Sequence, residues 1–353
     1  MDAVVLVGGK GTRLRPLTCT TPKPMLPTAG VPFLTHLLAR ARDAGVDHAI
    51  LSTAYRPEVF EEHFGDGAAL GLRITYVTEA EPLGTGGGIR NVASHLRGED
   101  FLVFNGDVLA GLDIAALVRA HRERGADVTL YLTEVEDARA FGCVPTDADG
   151  RVTAFLEKMP EPVTNRINAG CYVFAPHVLD RVPAGRPVSV ERETFPALLA
   201  DGALVYGHVD TSYWLDLGTP AAFVCGSCDL VLGRAPSPAL PGRAGDRLLL
   251  PGASVAGDAL VTGGTTVGRD VTVGAGAVVE GSVLFDGAVV APRAVVTGSV
   301  LGRGASVGEG SVLDGVVVGD GARIGARNEL VAGARVWPDV VLPDGAIRFS
   351  PDE

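Results

Sequence analysis

Apolar and polar residues follow two different patterns along the chain, and the change between them falls near residue 240. In the first part, short apolar runs alternate with amphipathic segments of helical period, which predicts strands and helices in turn. The predicted strands are Ala3–Val7, Ala49–Thr53, Arg73–Thr78, Phe101–Asn105, Val128–Thr133 and Val205–Val209. The predicted helices are Phe33–Ala44, Pro57–Phe64, Asp113–Arg124 and Val190–Leu199. This alternation predicts an α/β domain with a mostly parallel mixed sheet, covered on both faces, that binds ligands at the carboxyl ends of its strands.

In the last part of the chain, aliphatic residues recur every six positions. They fall into three frames: Val255, Val261, Val267, Val273 and Val279; then Val283, Val289, Val295, Leu301 and Val307; then Val312, Val318, Ile324, Leu330 and Val336. A hexapeptide period predicts a parallel β-helix, in which three hexads form one triangular coil with aliphatic residues inward and small residues at the corners. We expect a bulge or loop at each shift of frame. A β-sandwich with glycine-rich turns would not keep this period.

Residues 235–245, APSPALPGRAG, separate the two patterns and show no periodicity of their own. A segment rich in proline and glycine between two periodic regions is typical of a linker. The length of 353 residues also favours two domains. The prediction is therefore a domain at 1–234, a linker at 235–245 and a β-helix domain at 246–353.

Composition narrows the possible partners. The formal net charge of −12 leaves no electrostatic footprint for nucleic acid or an anionic membrane surface. No apolar run reaches the length that spans a bilayer, and the N-terminus lacks the basic start and long apolar stretch of a signal peptide. The five cysteines are scattered, as is typical of reduced thiols. We therefore expect a cytoplasmic protein.

A glycine-rich turn follows the first predicted strand, with the sequence Gly8-Gly9-Lys10-Gly11-Thr12-Arg13-Leu14. Bare backbone N–H groups in such a turn can approach phosphate oxygens closely. The spacing is not that of a Walker A loop, and Leu14 stands where a dinucleotide fingerprint has its third glycine. Taken alone, the segment could be either a phosphate loop or only a tight turn.

The continuation of this turn is more specific, because GGKGTRLRPLT is followed by TPKPMLP. Further motifs follow along the chain: EPLGTGG at 81–87, NGD at 105–107, FLEK at 155–158, NRINAG at 165–170 and YWLDLGTP at 213–220. Together they resemble the signatures of the sugar-1-phosphate nucleotidylyltransferases, most closely the GDP-mannose pyrophosphorylase branch. That resemblance implies a Rossmann-like nucleotidyltransferase domain followed by a left-handed β-helix, which agrees with the hexapeptide period.

The resemblance also implies a reaction and a set of site residues. The expected reaction condenses GTP with mannose 1-phosphate into GDP-mannose and pyrophosphate, by in-line attack on the α-phosphorus. Arg13 and Lys23 correspond to the cations that stabilise the triphosphate, and Asp107 and Asp216 to the carboxylates that hold Mg²⁺. The remaining expected positions are Gly8, Gly9, Gly11, Thr12, Gly84 and Thr85 for the nucleotide, and Gly106, Glu157, Lys158, Asn168 and Gly170 for the sugar phosphate. Met159 departs from the family pattern, which commonly has proline there.

Two glutamates close together in the sequence are candidates for recognising the base of the nucleotide. Guanine presents N1–H and an amino group as adjacent donors, and one carboxylate can accept from both. Glu79 and Glu81 immediately precede the Gly84–Gly88 loop, where the resemblance places the base. Glu79 is the preferred candidate, although either glutamate could be only solvated.

The residues alone leave several alternative functions open. GTP, ATP or dTTP could activate another hexose 1-phosphate or a cyclitol phosphate, since epimers differ by one hydroxyl direction. A non-catalytic regulatory subunit is disfavoured because the phosphate loop and both aspartates are present. An acyltransferase site in the β-helix is disfavoured because the last histidine is His208. We expect a homo-oligomer, dimer or tetramer, with contacts through the β-helix.

Overall fold

The computed structural model describes residues 1–156 and 160–348. Before residue 235, the strands are β1 Asp2–Leu6, β2 Pro27–Thr28, β3 Val31–Pro32, β4 His48–Thr53, β5 Arg73–Thr78, β6 Phe101–Asn105, β7 Val108–Ala110, β8 Val128–Glu134, β9 Arg166–Phe174, β10 Val205–Val209 and β11 Trp214–Asp216. The α-helices are α1 Phe33–Asp43, α2 Pro57–Phe64, α3 Gly84–Asn91, α4 Ile114–Arg124, α5 Phe195–Ala200 and α6 Pro220–Val231. Within the described ranges, no helix combines the length and apolarity needed to cross a membrane.

A seven-stranded sheet in the order β10-β8-β9-β6-β1-β4-β5 is the scaffold of the first part, within the residues described. Its neighbours are parallel except that β9 runs antiparallel to both β6 and β8. The predicted strands are all present, with ends that differ by at most one residue. The antiparallel strand β9 was not predicted.

One local prediction was wrong, and one predicted helix has an unexpected hydrogen-bond pattern in its first half. The glycine stretch that starts at Gly84 is not a loop but the first turns of α3. Glycine is a poor helix former, so tertiary packing must stabilise this helix, and residues 86–88 are indeed buried. The predicted helix Val190–Leu199 begins as a π-helix, Val190–Thr194, before α5. π-Helical turns are uncommon and occur often at functional sites.

As far as residue 348, the C-terminal part consists of parallel strands in three sheets. The first sheet, called sheet A here, contains β12 Arg247–Leu249, β15 Thr265–Val267, β18 Val283–Leu284, β21 Val300–Leu301, β24 Val317–Val318 and β27 Arg335–Val336. Sheet B contains β13 Ser254–Val255, β16 Thr272–Val273, β19 Val289–Val290, β22 Ser306–Val307, β25 Arg323–Ile324 and β28 Val341–Leu342. Sheet C contains β14 Leu260–Thr262, β17 Val278–Glu280, β20 Val295–Thr297, β23 Val312–Asp314 and β26 Glu329–Leu330. These regular repeats confirm the predicted fold class, a left-handed parallel β-helix after the mixed-sheet domain.

The predicted phase of the hexads was wrong in the middle coils. Leu284, Val290, Val296 and Leu313 belong to the buried interior, one residue later than the predicted Val283, Val289, Val295 and Val312. Val289 is 40% exposed, and Val283 packs in a separate cluster outside the coil. The cause is a shortened corner rather than a bulge or loop, since Val283 pairs with Val300 and Val300 with Val317, a coil of 17 residues instead of 18. Glycines with positive φ, such as Gly281, occupy these corners.

Two compact units interleave along the sequence. One contains residues Met1–Gly9 and Leu37–Trp214, and the other contains Lys10–His36 and Leu215–Glu353. The motif segment after Gly9 therefore belongs to the same unit as the β-helix. The domain boundaries 1–234, 235–245 and 246–353 rest on composition and stay a prediction.

Candidate active site

The segment from Lys10 to Pro27, called the signature segment here, folds as three short 3₁₀ turns. Gly11 precedes the first turn with φ +58°, and its carbonyl accepts a hydrogen bond from Thr18 Oγ1 at 2.8 Å. Leu14 and Leu17 are buried, whereas Arg13 is exposed. The alternation of leucine and arginine therefore anchors the segment by its apolar side chains and leaves the guanidinium of Arg13 on the surface.

Three charged side chains that the sequence predicted as site residues meet in this unit. Lys23 is buried, and its Nζ lies 3.7 Å from Oδ1 of Asp216. A Cβ added to Gly218 would lie 2.6 Å from Nη2 of Arg13 and 2.9 Å from Oδ2 of Asp216. Arg13 and Asp216 thus lie against a glycine that is small enough to admit them, and Lys23 pairs with the other oxygen of the same carboxylate. Such a cluster can bind an anion through its cations and a divalent cation through its carboxylate.

Asp107 lies in the other unit, just after strand β6. Its neighbour Gly106 donates its N–H to the carbonyl of Leu6 at 3.0 Å, so the turn is attached to the end of β1. A Cβ on Gly106 would lie 2.7 Å from that carbonyl oxygen, which leaves room only for glycine. Gly8 and Gly9 follow β1 in the same unit. Asp107 therefore lies next to the carboxyl ends of two neighbouring parallel strands, where such sheets bind ligands.

The carboxylate of Glu79 is held by hydrogen bonds from other residues of the same unit. Ser52 Oγ donates to Oε1 of Glu79 at 2.8 Å, and the backbone N–H of Leu83 donates to Oε2 at 2.8 Å. A Cβ on Gly88 would lie 2.8 Å from the same Oε1. The carboxylate is thus fixed between β4 and α3, and each oxygen keeps a second lone pair for a ligand. Glu81, the other candidate, is exposed.

Thr85, in the first turn of α3, is linked to a residue that sequence reasoning missed. Its Oγ1 donates to Oε2 of Glu191 at 2.9 Å and accepts the N–H of Val190 at 2.9 Å. Ser189 Oγ donates to the same Glu191 oxygen at 2.9 Å. A glutamate at the start of a helix is usually explained by the helix dipole, so the sequence offered no reason to single out Glu191. The structure makes it the anchor that joins α3 to the π-helix.

The predicted sugar-side residues lie on β9. Asn168 donates through Nδ2 to the hydroxyl of Tyr172 at 2.8 Å and accepts the N–H of Gly170 at 3.1 Å. Gly170 has φ +80°, and a Cβ there would lie 3.1 Å from Nδ2 of Asn105. Burial raises the pKa of Tyr172 well above its usual range, so its hydroxyl stays protonated. Gly170 and the strand that leads to Asp107 are therefore direct neighbours.

The remaining predictions are placed as follows. Thr12 is exposed in the first 3₁₀ turn, and Gly84 begins α3. Glu157 and Lys158 lie outside the described residues. Arg13, Lys23 and Asp216 belong to one compact unit, whereas Asp107, Glu79, Thr85, Asn168 and Gly170 belong to the other. Among the residues that the structure describes, no group of three or more histidine, cysteine, aspartate or glutamate side chains forms a metal cage.

The sequence is similar to known families over nearly its whole length. A profile described as "Nucleotidyl transferase" matches residues 2–231, and one described as "GMPPB C-terminal domain" matches residues 244–347. The first match alone covers more than half of the chain. The chain therefore belongs to the nucleotidyl transferase family, and it is an enzyme of that class.

Particular relatives narrow this class. A mannose-1-phosphate guanylyltransferase of Mycobacterium tuberculosis is 63% identical over 353 residues, which cover 100% of this chain and 98% of that protein. The mannose-1-phosphate guanylyltransferase catalytic subunit beta of Drosophila pseudoobscura pseudoobscura is 40% identical over 261 residues, 72% of this chain and 70% of its own. Among solved structures, HddC from Yersinia pseudotuberculosis, complexed with GMP-PN, is 29% identical with a TM-score of 0.57 and covers 65% of this chain and 99% of its own.

Proposed function

We propose that this chain is a mannose-1-phosphate guanylyltransferase, which condenses GTP with mannose 1-phosphate into GDP-mannose and pyrophosphate. The observation that carries the proposal is the 63% identity to a mannose-1-phosphate guanylyltransferase along the entire chain. A phosphate oxygen of mannose 1-phosphate attacks the α-phosphorus of GTP. The bond from that phosphorus to the bridging oxygen of the β-phosphate breaks, and pyrophosphate leaves with the electron pair.

This reaction requires in-line positioning and neutralisation of charge rather than covalent catalysis. Arg13 is exposed and Lys23 is buried, so they offer a planar fork at the surface and a fixed point charge below it. We assign both to the triphosphate of GTP, where they stabilise the charge that develops on the leaving pyrophosphate. The 3.7 Å ion pair with Asp216 holds the Lys23 ammonium in place before substrate binds.

The proposed metal is Mg²⁺, and the carboxylates of Asp107 and Asp216 are its proposed protein ligands. Oxygen donors suit this ion, which needs only one or two carboxylates besides substrate phosphates and water. Asp107 lies in the turn just after β6, and Asp216 is the last residue of β11. When bound, the ion polarises phosphate oxygens and orients both substrates.

Substrate selection is assigned to the other unit. Glu79, fixed by Ser52 and Leu83, accepts the two adjacent N–H donors of guanine in this proposal. Asn168 and Gly170 contact the sugar, and Glu157 and Lys158 contact the sugar hydroxyls and phosphate by resemblance. Because these hydrogen bonds already fix the Glu79 carboxylate, its side chain loses less rotamer entropy when the base binds.

We further propose that the protein acts in the cytoplasm as a homo-oligomer, dimer or tetramer, with contacts through the β-helix. Cys143 and Cys171 are buried free thiols, which agrees with a reducing compartment. The mass of the full chain in solution tests the second point. A multiple of the 36.4 kDa chain mass is expected, and a single-chain mass across the micromolar range would contradict it.

Identification of the product tests the proposed reaction. Purified protein incubated with GTP, mannose 1-phosphate and Mg²⁺ should yield GDP-mannose and equimolar pyrophosphate, detected by chromatography and mass spectrometry. The variant Asp107→Ala, purified in parallel, excludes a contaminating enzyme as the source. Absence of GDP-mannose with the unmodified chain would overturn the proposal.

A further inference from the structure

Three successive outward positions on sheet A are buried. The residues Val283, Val300 and Val317 are paired in register on neighbouring coils and are at most 2% exposed. They lie beside the inward residues Leu284, Leu301 and Val318, which form the interior of the coil. An outward position on a β-helix normally faces water. A cover must therefore lie on this sheet.

The cover is helix α6 together with the signature segment. Leu14, Leu17 and Leu26 of that segment form one apolar cluster with the outer valines and with Phe223 of α6. Phe285, at the end of β18, belongs to the same cluster and makes an edge contact with Phe223 at 6.4 Å between ring centroids. The three leucines that flank Arg13 and Lys23 are thus buried against the β-helix.

Polar contacts extend the same attachment to the backbone. Arg335, the next residue of the valine column, donates from Nη1 to the carbonyl oxygen of Arg15 at 2.8 Å. Thr20 Oγ1 donates to Oδ2 of Asp320 at 3.1 Å. The other oxygen of that carboxylate accepts the backbone N–H of Arg303 at 2.8 Å. These side chains tie the signature segment to three successive coils.

Arg303 makes a second link between the β-helix and the signature segment. Its Nη1 lies 3.4 Å from Oγ1 of Thr21, which it can reach as donor, and its guanidinium carbon lies 5.9 Å from the centroid of Phe285. Thr21 is two residues before Lys23. Lys23, which is assigned to the triphosphate, therefore closely follows a residue that Arg303 of the β-helix contacts.

We propose that sheet A positions the signature segment for triphosphate binding, with Arg335 and Arg303 as positioning residues for Arg13 and Lys23. The inference rests on the proposed role of those two cations. Three-residue 3₁₀ turns have little stability of their own. Groups that bind a transition state must be held by packed and hydrogen-bonded neighbours. Here the neighbours belong to the β-helix, which thus serves the reaction through the signature segment.

Arg335→Ala in the full-length protein tests this inference, because Arg335 is exposed and its loss creates no cavity. Arg323→Ala is the matched control, since Arg323 is also an exposed arginine but lies on sheet B. Loss of one hydrogen bond predicts that kcat/KM for GTP falls about fivefold. The KM for mannose 1-phosphate and the melting temperature should stay near the values of the unmodified protein, and Arg335→Lys should restore part of the loss.

Hydrogen–deuterium exchange of residues 10–26 supplies a readout besides activity. Arg335→Ala should speed exchange in this segment, and Arg323→Ala should not. Unchanged exchange in Arg335→Ala would overturn the inference, whatever the activity. Faster exchange with unchanged kcat/KM for GTP would show that the β-helix holds a segment that does not bind the triphosphate, which would overturn the proposed site instead.

Discussion

The ammonium nitrogen of Lys23 lies 3.7 Å from a carboxylate oxygen of Asp216, although the two residues are far apart in the sequence. Lys23 is one of only three lysines in the chain, besides Lys10 and Lys158. It is buried, whereas Lys10 is exposed. The Asp216 side chain is half-buried, so only the lysine end of this ion pair is shielded from water. The pair is therefore a precise target for substitution.

Substitution of Lys23 should abolish most of the activity. Lys23→Ala removes a charge-stabilising contact in the proposed site, so kcat/KM should fall by roughly 10²-fold or more. Lys10→Ala, in the same segment but exposed, is the control and should retain near-normal kcat/KM. Steady-state pyrophosphate release measures both variants. Near-normal activity in Lys23→Ala would remove Lys23 from the proposed site.

A single methyl group at Gly218 should disturb the same cluster. In Gly218→Ala, the new Cβ would lie 2.6 Å from Nη2 of Arg13 and 2.9 Å from Oδ2 of Asp216, so both side chains must shift. Misplacement of catalytic groups predicts a fall in kcat/KM of about tenfold or more. The control is Gly257→Ala, where an added Cβ meets open space. Equal activity of the two variants would show that the Gly218 neighbours take no part in the reaction.

The metal assignment predicts a changed requirement for Mg²⁺. Asp107→Asn replaces a carboxylate ligand by a neutral amide oxygen, so the Mg²⁺ concentration at half-maximal rate should rise and kcat should fall by roughly 10²-fold. Titration of the initial rate with Mg²⁺ measures both quantities. Asp258→Asn, at an exposed position of the β-helix, should give the curve of the unmodified protein. The assignment is refuted by an unchanged curve for Asp107→Asn.

The two candidate glutamates for base recognition can be distinguished directly. Glu79→Gln replaces one of two acceptor oxygens by a donor, so the ratio of kcat/KM for GTP over ATP should fall while the KM for mannose 1-phosphate changes little. Glu81→Gln alters an exposed side chain and should leave the ratio unchanged. The reverse pattern would transfer the role to Glu81, and two unchanged ratios would exclude both residues.

Stability should decrease in mildly acidic solution. Burial lowers the pKa of His36, although the carbonyl of Thr28 at 2.9 Å from Nε2 opposes this. The pKa in the unfolded chain is about 6.5. Below that pH, the unfolded chain binds a proton that the folded chain does not. The contribution of neutral His36 to the free energy of unfolding is therefore fully present above pH 6.5. It is lost as the pH falls, with a limiting slope of about 1.4 kcal/mol per pH unit.

Denaturant unfolding at pH 7.5, 6.5 and 5.5 measures this dependence. His36→Asn should reduce the slope of the unfolding free energy with pH, but not remove it, because burial also lowers the pKa of His48, His121 and His208. His95→Asn, at an exposed position, should leave the slope unchanged. An equal slope in His36→Asn and the unmodified protein would contradict the prediction.

Much of the fold follows from the sequence pattern. The bounds of β5, β6 and β10 agree with the predicted bounds because short strands between turn residues leave little freedom. Those of α2 agree because Pro57 begins the helix and Gly65 follows its end. The phase of the β-helix did not follow, since adjacent pairs such as Val283–Leu284 and Val295–Val296 permit two phases. Only the 17-residue coil spacing, set by tight corners, decides which member faces inward.

For the site, the motifs predicted which residues take part but not which residues hold them in place. Nothing local in the sequence indicates that Ser52 holds Glu79 or that Glu191 holds Thr85. The same is true of the contact between Arg335 and Arg15, which joins residues from opposite ends of the chain. Such partners are set by tertiary packing, and a single sequence carries no direct signal for them.

The identity of the two substrates is tested most directly by a matrix of kcat/KM values. Pyrophosphate release should be measured for GTP, ATP and dTTP, each with mannose 1-phosphate, glucose 1-phosphate and a cyclitol phosphate. GTP with mannose 1-phosphate should exceed every other pair by at least about tenfold, since loss of one or two hydrogen bonds separates each competitor. An equal or higher kcat/KM for any other pair would contradict the account.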